Sequence, residues 1–362
     1  LIGLHRLYMA LITNTNSAIR ARSRRDKSAM LPSLTLPAHT RRLPVTDMHT
    51  CGEPVRIIEL PDGMLTGTTL ERRQQMKHEH DDIRSALMLE PRGHNDMYGA
   101  ILSSADKGDP DQSPHVLFCH TTGYSTMCGH ATLALGRYLH ARGIKPADNQ
   151  AYLLRVPCGS VSVTHDSATG MSEFESVTCL AHALNVEIEV DGIGKMRADI
   201  GYGGAFYLIV PDQRVGLDIN ACPITEAHEM SRRLFRAARQ QHPIVSSLDE
   251  DLNFLYGVIL TDGADNPAPT RNICLFGEDQ IDRSPTGSGV GARLAVDFAR
   301  GQIGAREWRE FRGTSDLAFE GQIRASAGAG IKAGIRGSAY FTGQGEFFIE
   351  PTDPLRAGFQ LD

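Results

Sequence analysis

Met127-Cys128-Gly129-His130-Ala131-Thr132-Leu133-Ala134-Leu135-Gly136-Arg137 is the stretch on which the rest of the chain turns. A cysteine opens an apolar helical pattern that runs to Ala141-Arg142-Gly143, where Gly143 is suited to a left-handed helix stop. The first N–H groups of a helix have no partner inside it, and its dipole is positive at that end. Such a mouth favours a small anion and is expected to lower the pKa of a cysteine placed on it.

The arrangement returns later in the chain. Pro285-Thr286-Gly287-Ser288-Gly289-Val290 opens a second apolar helix over 291–299. With Cys128 placed on Thr286, Gly129 falls on Gly287, Ala134 on Ala292, and Ala141-Arg142-Gly143 on Ala299-Arg300-Gly301. Two loop-to-helix units of matching length imply two related halves. Facing each other across a cleft, the two mouths make one anion site, with a thiol on one side and only a hydroxyl on the other.

Composition bounds the alternatives. The 362 residues suffice for two domains, and 41% hydrophobic with 22% charged residues is a globular mixture. A net charge of −6 gives no case for nucleic acid as a partner. No apolar run approaches the length of a membrane span, so no membrane partner is expected. Seven cysteines without a Cys-x-x-Cys pair argue against a disulfide framework or a zinc site, and no metal is expected. Cys119, Cys158, Cys179, Cys222 and Cys274 read as small buried hydrophobes. Residues 1–43 are rich in arginine and read as a disordered or leader segment. The expected compartment is the cytoplasm, or the mitochondrion if that leader is a transit peptide.

Along the chain, 45–49 and 55–60 read as a strand pair joined by Thr50-Cys51-Gly52-Glu53. A single helix is expected over 69–88 with Thr69 as N-cap. The polar segment 90–99 reads equally as a structural loop or a site loop. Strands are expected at 115–119, 151–156, 160–164, 186–190, 195–200, 206–210, 254–261 and 272–276, a helix at 225–241, and short β runs after Gly321. Elements interleave without a regular βαβ cadence, which favours a mixed α/β sheet.

Several chemistries compete for these residues. Cys128 and His130, two positions apart at a helix start, are not expected to face each other, so a cysteine acting as acid–base group is preferred over a Cys-His nucleophile. Gly287-x-Gly289-x-x-Ala292 matches a dinucleotide fingerprint, but Asp282-Arg283-Ser284-Pro285 separates it from the preceding strand. Gly287-Ser288-Gly289 lacks the spacing of a nucleophile elbow. Asp282 is expected beside the second mouth, as a partner for a protonated amine or as a plain loop acid.

Met127-Cys128-Gly129-His130, Asp282-Arg283-Ser284-Pro285-x-Gly287-x-Gly289, Asp47-Met48-His49-Thr50, Glu90-Pro91-Arg92-Gly93-His94 and Asp353-Pro354-Leu355-x-x-Gly358-Phe359 together resemble the proline racemase family from about residue 45 onward. The resemblance implies two pseudo-symmetric halves of the diaminopimelate epimerase type, each a curved mixed sheet around a central helix, with the active site in the cleft between them. The halves are expected at 44–165 with about 345–362, and at 166–344. No cofactor and a homodimer are implied. Family racemases carry a cysteine at both mouths; Thr286 departs from that and is similar to the trans-3-hydroxy-L-proline dehydratase branch. Cys51 stands where the family usually has glycine, either crowding a turn or adding a thiol near the site.

By the same resemblance, N–H groups of Gly129, His130, Gly287 and Ser288 hold the substrate carboxylate. Asp282 and His130 hold the ring nitrogen of an imino acid, and Tyr98 and Phe276 pack on its ring. Racemisation needs an acid–base group on each face of the α-carbon, and Thr286 cannot supply one. A single base, Cys128, suffices to remove the α-proton if a hydroxyl leaves the neighbouring carbon. In trans-3-hydroxy-L-proline that hydroxyl lies on the same ring face as the α-hydrogen. The implied reaction is a syn dehydration to an enamine that tautomerises to 1-pyrroline-2-carboxylate. The alternatives are a proline racemase or hydroxyproline 2-epimerase with another second base, and a non-catalytic binder of proline-like acids.

Overall fold

The computed structural model describes residues 34–360, apart from 109–111, 147–149, 246–247, 265, 267 and 278. Most of the expected leader therefore lies outside the described residues. The elements below all belong to one unit, Arg41–Asp362.

The chain opens with an antiparallel hairpin, β1 (Arg41–Thr50) and β2 (Glu53–Glu59). Its turn residues Cys51 and Gly52 sit at φ 52° and 85°, as tight two-residue hairpins require. The expected helix over 69–88 is two, α1 (Thr69–Glu79) and α2 (Asp81–Met88). His80, at φ −135°, breaks it, and Asp81 and Asp82 restart it at a new positive end. The N-cap is Thr68 rather than Thr69, because Thr68 completes a reciprocal capping box with Glu71.

β3 (Tyr98–Ser103) runs parallel to β2, and β4 (His115–His120) and β5 (Gly123–Ser125) follow antiparallel. Helix α3 (Gly129–Ala141) then leads to β6 (Tyr152–Val156), β7 (Gly159–Asp166) and β8 (Met171–Glu175). The chain continues with β9 (Leu180–Val190), β10 (Gly194–Tyr202), β11 (Phe206–Pro211), helix α4 (Ile224–Gln241), β12 (Leu255–Thr261), β13 (Thr270–Phe276) and β14 (Gln280–Asp282). Helix α5 (Gly287–Ala299), β15 (Arg309–Arg312), β16 (Ala318–Ala327) and β17 (Gly330–Ile349) complete it.

The fold is the mixed α/β arrangement anticipated: one large mixed sheet whose two halves each curl around one central helix. Helix α3 packs on β1, β2, β7, β8 and β17, and helix α5 on β9, β10, β11, β16 and β17. Both helices are largely apolar where the sheets enclose them: Leu133, Ala134, Leu135, Val290, Ala292 and Leu294 are fully buried. Each such leucine contributes about 1.5–3 kcal/mol relative to exposure. The tail after Gly321, expected as short runs, contains one strand of 20 residues, β17, whose first part pairs with β16 and β8 and whose last part pairs with β1. That shared strand ties the halves together. Among the described residues no helix is long and apolar enough to cross a membrane.

Candidate active site

The mouths of α3 and α5 meet head to head. A Cβ on Gly129 would lie 2.4 Å from the Cα of Gly287, and one on Gly287 would lie 2.7 Å from the Cα of Gly129. Only glycine permits that approach. The run Gly201-Tyr202-Gly203-Gly204 braces the junction from behind. A Cβ on Gly203 would fall 2.0 Å from the Ser288 carbonyl oxygen, and one on Gly204 2.6 Å from the Cβ of Met127.

Side-chain hydrogen bonds fix each mouth. At the first, Thr50 Oγ1 donates to the His130 carbonyl (2.9 Å), Ser125 Oγ to the Met127 carbonyl (2.8 Å) and Thr132 Oγ1 to the Cys128 carbonyl (2.7 Å). At the second, Asn272 Nδ2 donates to the Pro285 carbonyl (2.9 Å), the Ser284 N–H to Asp282 Oδ1 (2.7 Å), and Thr286 Oγ1 to Asp282 Oδ2 (2.8 Å).

The two caps differ. Cys128 is an extended N-cap (φ −145°) whose Sγ accepts from the Ala131 N–H at 3.4 Å. Thr286 sits in the left-handed region (φ 64°) with no side-chain cap, a strained conformation for a β-branched residue. Its hydroxyl is turned to Asp282 instead.

A small cavity lies over the paired glycines. It is lined by all nine residues singled out in the sequence: Tyr98, Cys128, Gly129, His130, Phe276, Asp282, Thr286, Gly287 and Ser288. Met127, Tyr207 and Tyr256 complete the lining. The two tyrosines were not anticipated. Both lie within apolar strand runs, where sequence period alone does not say which hydroxyl turns to the cleft. Tyr207 Oη and Ser288 Oγ are 2.7 Å apart, and Tyr256 stacks on Phe276 with centroids 5.8 Å apart.

Two expectations need correction. Cys128 and His130 do face each other, with Sγ 3.1 Å from Nδ1. Cys128 is an extended cap rather than a helical residue, so the two-apart rule for helix faces does not apply to it. Nor is the thiol pKa lowered: burial pushes it well above the ordinary thiol range and outweighs the Ala131 N–H, while the Asp282 carboxylate adds to the rise. Burial also pushes His130 down to about 3, against a bond to the Pro54 carbonyl that favours its charged form. The pair is therefore a neutral thiol and a neutral imidazole.

Burial raises Asp282 to about 6, with hydrogen bonds from Ser284 and Thr286 pulling the other way. Glu53, wholly buried nearby, is raised well above the carboxylate range by burial and then by Asp282. Its Oε2 accepts from the Arg283 N–H at 2.8 Å. Cys51 does not line the cavity; it is buried in its turn, where Sγ lies 3.4 Å from the Ala318 carbonyl. The segment 90–99 is largely structural. Arg92 pairs with Asp353 at 2.8 Å, Glu90 bridges to Phe359, and only Tyr98 reaches the cavity. Among the described residues no group of three or more His, Cys, Asp or Glu side chains is placed to hold a metal.

The family described as proline racemase matches residues 45–360. The chain belongs to the proline racemase family. It is similar to the trans-3-hydroxy-L-proline dehydratase of Homo sapiens, at 41% identity over 346 residues that cover 90% of this chain and 97% of that protein. It is also similar to the trans-3-hydroxy-L-proline dehydratase of Colwellia psychrerythraea, at 38% identity over 87% of this chain and 91% of that protein. Among solved structures, a hydroxyproline epimerase from Agrobacterium vitis with bound trans-4-hydroxy-L-proline superposes with a TM-score of 0.78 at 21% identity, covering 89% of this chain and 95% of that one. A probable proline racemase from Agrobacterium radiobacter gives 0.79 at 22%, covering 88% and 96%. At these identities the structural likeness bears on the fold, and it is the proline racemase fold that sets the two mouths face to face.

Proposed function

We propose that the chain is a hydro-lyase that dehydrates trans-3-hydroxy-L-proline to 1-pyrroline-2-carboxylate, without a cofactor and with Cys128 as its single base. The observation that carries this reading is the asymmetry of the two mouths. A thiol with an imidazole nitrogen 3.1 Å away stands at one, and a hydroxyl already donating to Asp282 stands at the other. The names of the similar human and Colwellia proteins support the same substrate.

The substrate carboxylate takes the N–H groups of Gly129, His130, Gly287 and Ser288, where two helix dipoles converge. Asp282 faces the ring nitrogen, and the rings of Phe276 and Tyr98 close on the apolar carbons. The His130 ring stays neutral against Sγ, and its backbone N–H serves the carboxylate. Cys128 gives up its proton to water as the substrate's protonated ring nitrogen and the two helix mouths bring positive charge beside it. The thiolate then removes the α-proton. The converging dipoles stabilise the negative charge that spreads onto the carboxylate in the transition state. The hydroxyl leaves from the same face, and the enamine tautomerises in water. Thr286 holds Asp282 in place and does not act as a base. We also propose that the protein works as a homodimer.

Cys128→Ser is the direct test. Turnover is expected to fall by about 10²–10⁴-fold or more, the range typical of lost acid–base catalysis. A Cys128→Ser variant with wild-type turnover would overturn the assignment.

A further inference from the structure

The dehydration needs a proton for the departing hydroxyl. Because elimination is syn, the donor has to stand beside Cys128, on its face of the ring. Most hydroxyls around the cavity are engaged elsewhere. Thr286 donates to Asp282 across the cleft, Ser125 donates to the Met127 carbonyl at 2.8 Å, and Tyr207 pairs with Ser288.

Tyr98 is different. It enters from β3, in the same half as Cys128, and its ring meets the His130 ring edge-on with centroids 4.8 Å apart. Its hydroxyl is sealed from solvent, yet among the described residues it makes no hydrogen bond of ordinary geometry. Cys128, Ser125 and Tyr256 surround it in looser contact. A buried hydroxyl left in that condition costs about 1–3 kcal/mol, and a ligand group that accepts from it recovers that loss.

We propose that Tyr98 is the general acid that protonates the leaving 3-hydroxyl, an inference that rests on the dehydratase reading above. The Cys128 thiolate takes the α-proton and becomes a thiol. The electron pair left on the α-carbon forms the double bond as the C3–O bond breaks. The Tyr98 O–H proton passes to the departing oxygen, which leaves as water. The phenolate then regains a proton from the neighbouring Cys128 thiol, so both side chains return to their starting state and no outside reagent is consumed.

The test compares wild type and Tyr98→Phe on two substrates, trans-3-hydroxy-L-proline and trans-3-fluoro-L-proline. Fluoride leaves without needing a proton. Phenylalanine keeps the ring and removes only a hydroxyl without an ordinary hydrogen bond, so the melting temperature should hold or rise. Turnover of the hydroxy substrate is expected to fall by about 10²–10⁴-fold, while fluoride release stays within about threefold of wild type. Retention of wild-type dehydration by Tyr98→Phe would overturn the inference alone. An equal fall on both substrates would also overturn it, because it would mark a packing role. A wild type that forms no 1-pyrroline-2-carboxylate would overturn the dehydratase reading itself.

Discussion

Gly129→Ala puts the head-to-head arrangement of the helix mouths under direct strain. The new methyl carbon would stand 2.4 Å from the Cα of Gly287 and 2.9 Å from the Ser288 nitrogen, whereas ordinary contact starts at 3.4 Å. Both obstacles are backbone atoms in a close-packed junction, so no rotamer relieves them, and the mouths have to part by about 1 Å. Overpacking of this kind costs about 1–3 kcal/mol. Alanine's better helix propensity returns about 1 kcal/mol at most. The larger effect falls on the site, since the parted N–H groups are the ones assigned to the carboxylate. A misplacement of about 1 Å lowers turnover by about 10²-fold. The assay is kcat/KM on trans-3-hydroxy-L-proline beside a thermal melt. Gly136→Ala, on the same helix, serves as control. Its methyl would meet chiefly a Val163 methyl, at 2.6 Å and remote from the cavity, so stability should fall while activity is kept. Gly129→Ala with wild-type kcat/KM would refute the claim that the two mouths act as one anion site.

Other expectations concern charge and the second mouth. Thr286→Cys places a thiol on the opposite face, so L-proline should yield D-proline by chiral chromatography; none above the wild-type level would mean that position 286 does not face the α-carbon. Asp282 has to be ionised to hold a protonated ring nitrogen. With its pKa raised to about 6, kcat/KM should decline as pH falls through that value, and Asp282→Asn should remove this limb; a pH profile identical in the variant would exclude Asp282 as its source. Glu53 keeps its proton in the folded chain to a higher pH than in the unfolded one. Its ionisation therefore leaves stability unchanged at low pH and lowers it as pH rises past the unfolded value. Glu53→Gln should melt with wild type near pH 4 and above it at pH 8, as calorimetry can measure; the reverse order would show that Glu53 is charged in the native state.

Much of the site was legible because helix mouths leave strong local marks: a capping residue, glycines, then an apolar run ending in a left-handed glycine. Repetition of that pattern at 128–143 and 286–301 carried the two-half architecture. Neighbour-dependent features were not legible. His80 splits a continuous helical pattern because two aspartates after it offer a new start. Cys128 meets His130 because the cap backbone is extended, which residue spacing does not reveal. Tyr207 and Tyr256 look like core residues within apolar runs and reach the cavity only because β11 and β12 pass beneath it. The direction of the Cys128 shift was misread for the same reason: a helix mouth favours the thiolate, but complete burial outweighs it, and burial depends on the far half of the chain.

The central claim is tested most directly by incubating the purified protein, without added cofactor, with trans-3-hydroxy-L-proline and following 1-pyrroline-2-carboxylate. L-proline and trans-4-hydroxy-L-proline are run alongside with chiral separation. One base at Cys128 and a hydroxyl at Thr286 predict keto-imine product from the first substrate and no inverted product from the others. Inversion of L-proline or trans-4-hydroxy-L-proline without dehydration of the 3-hydroxy acid would contradict the account and place a second base in the site.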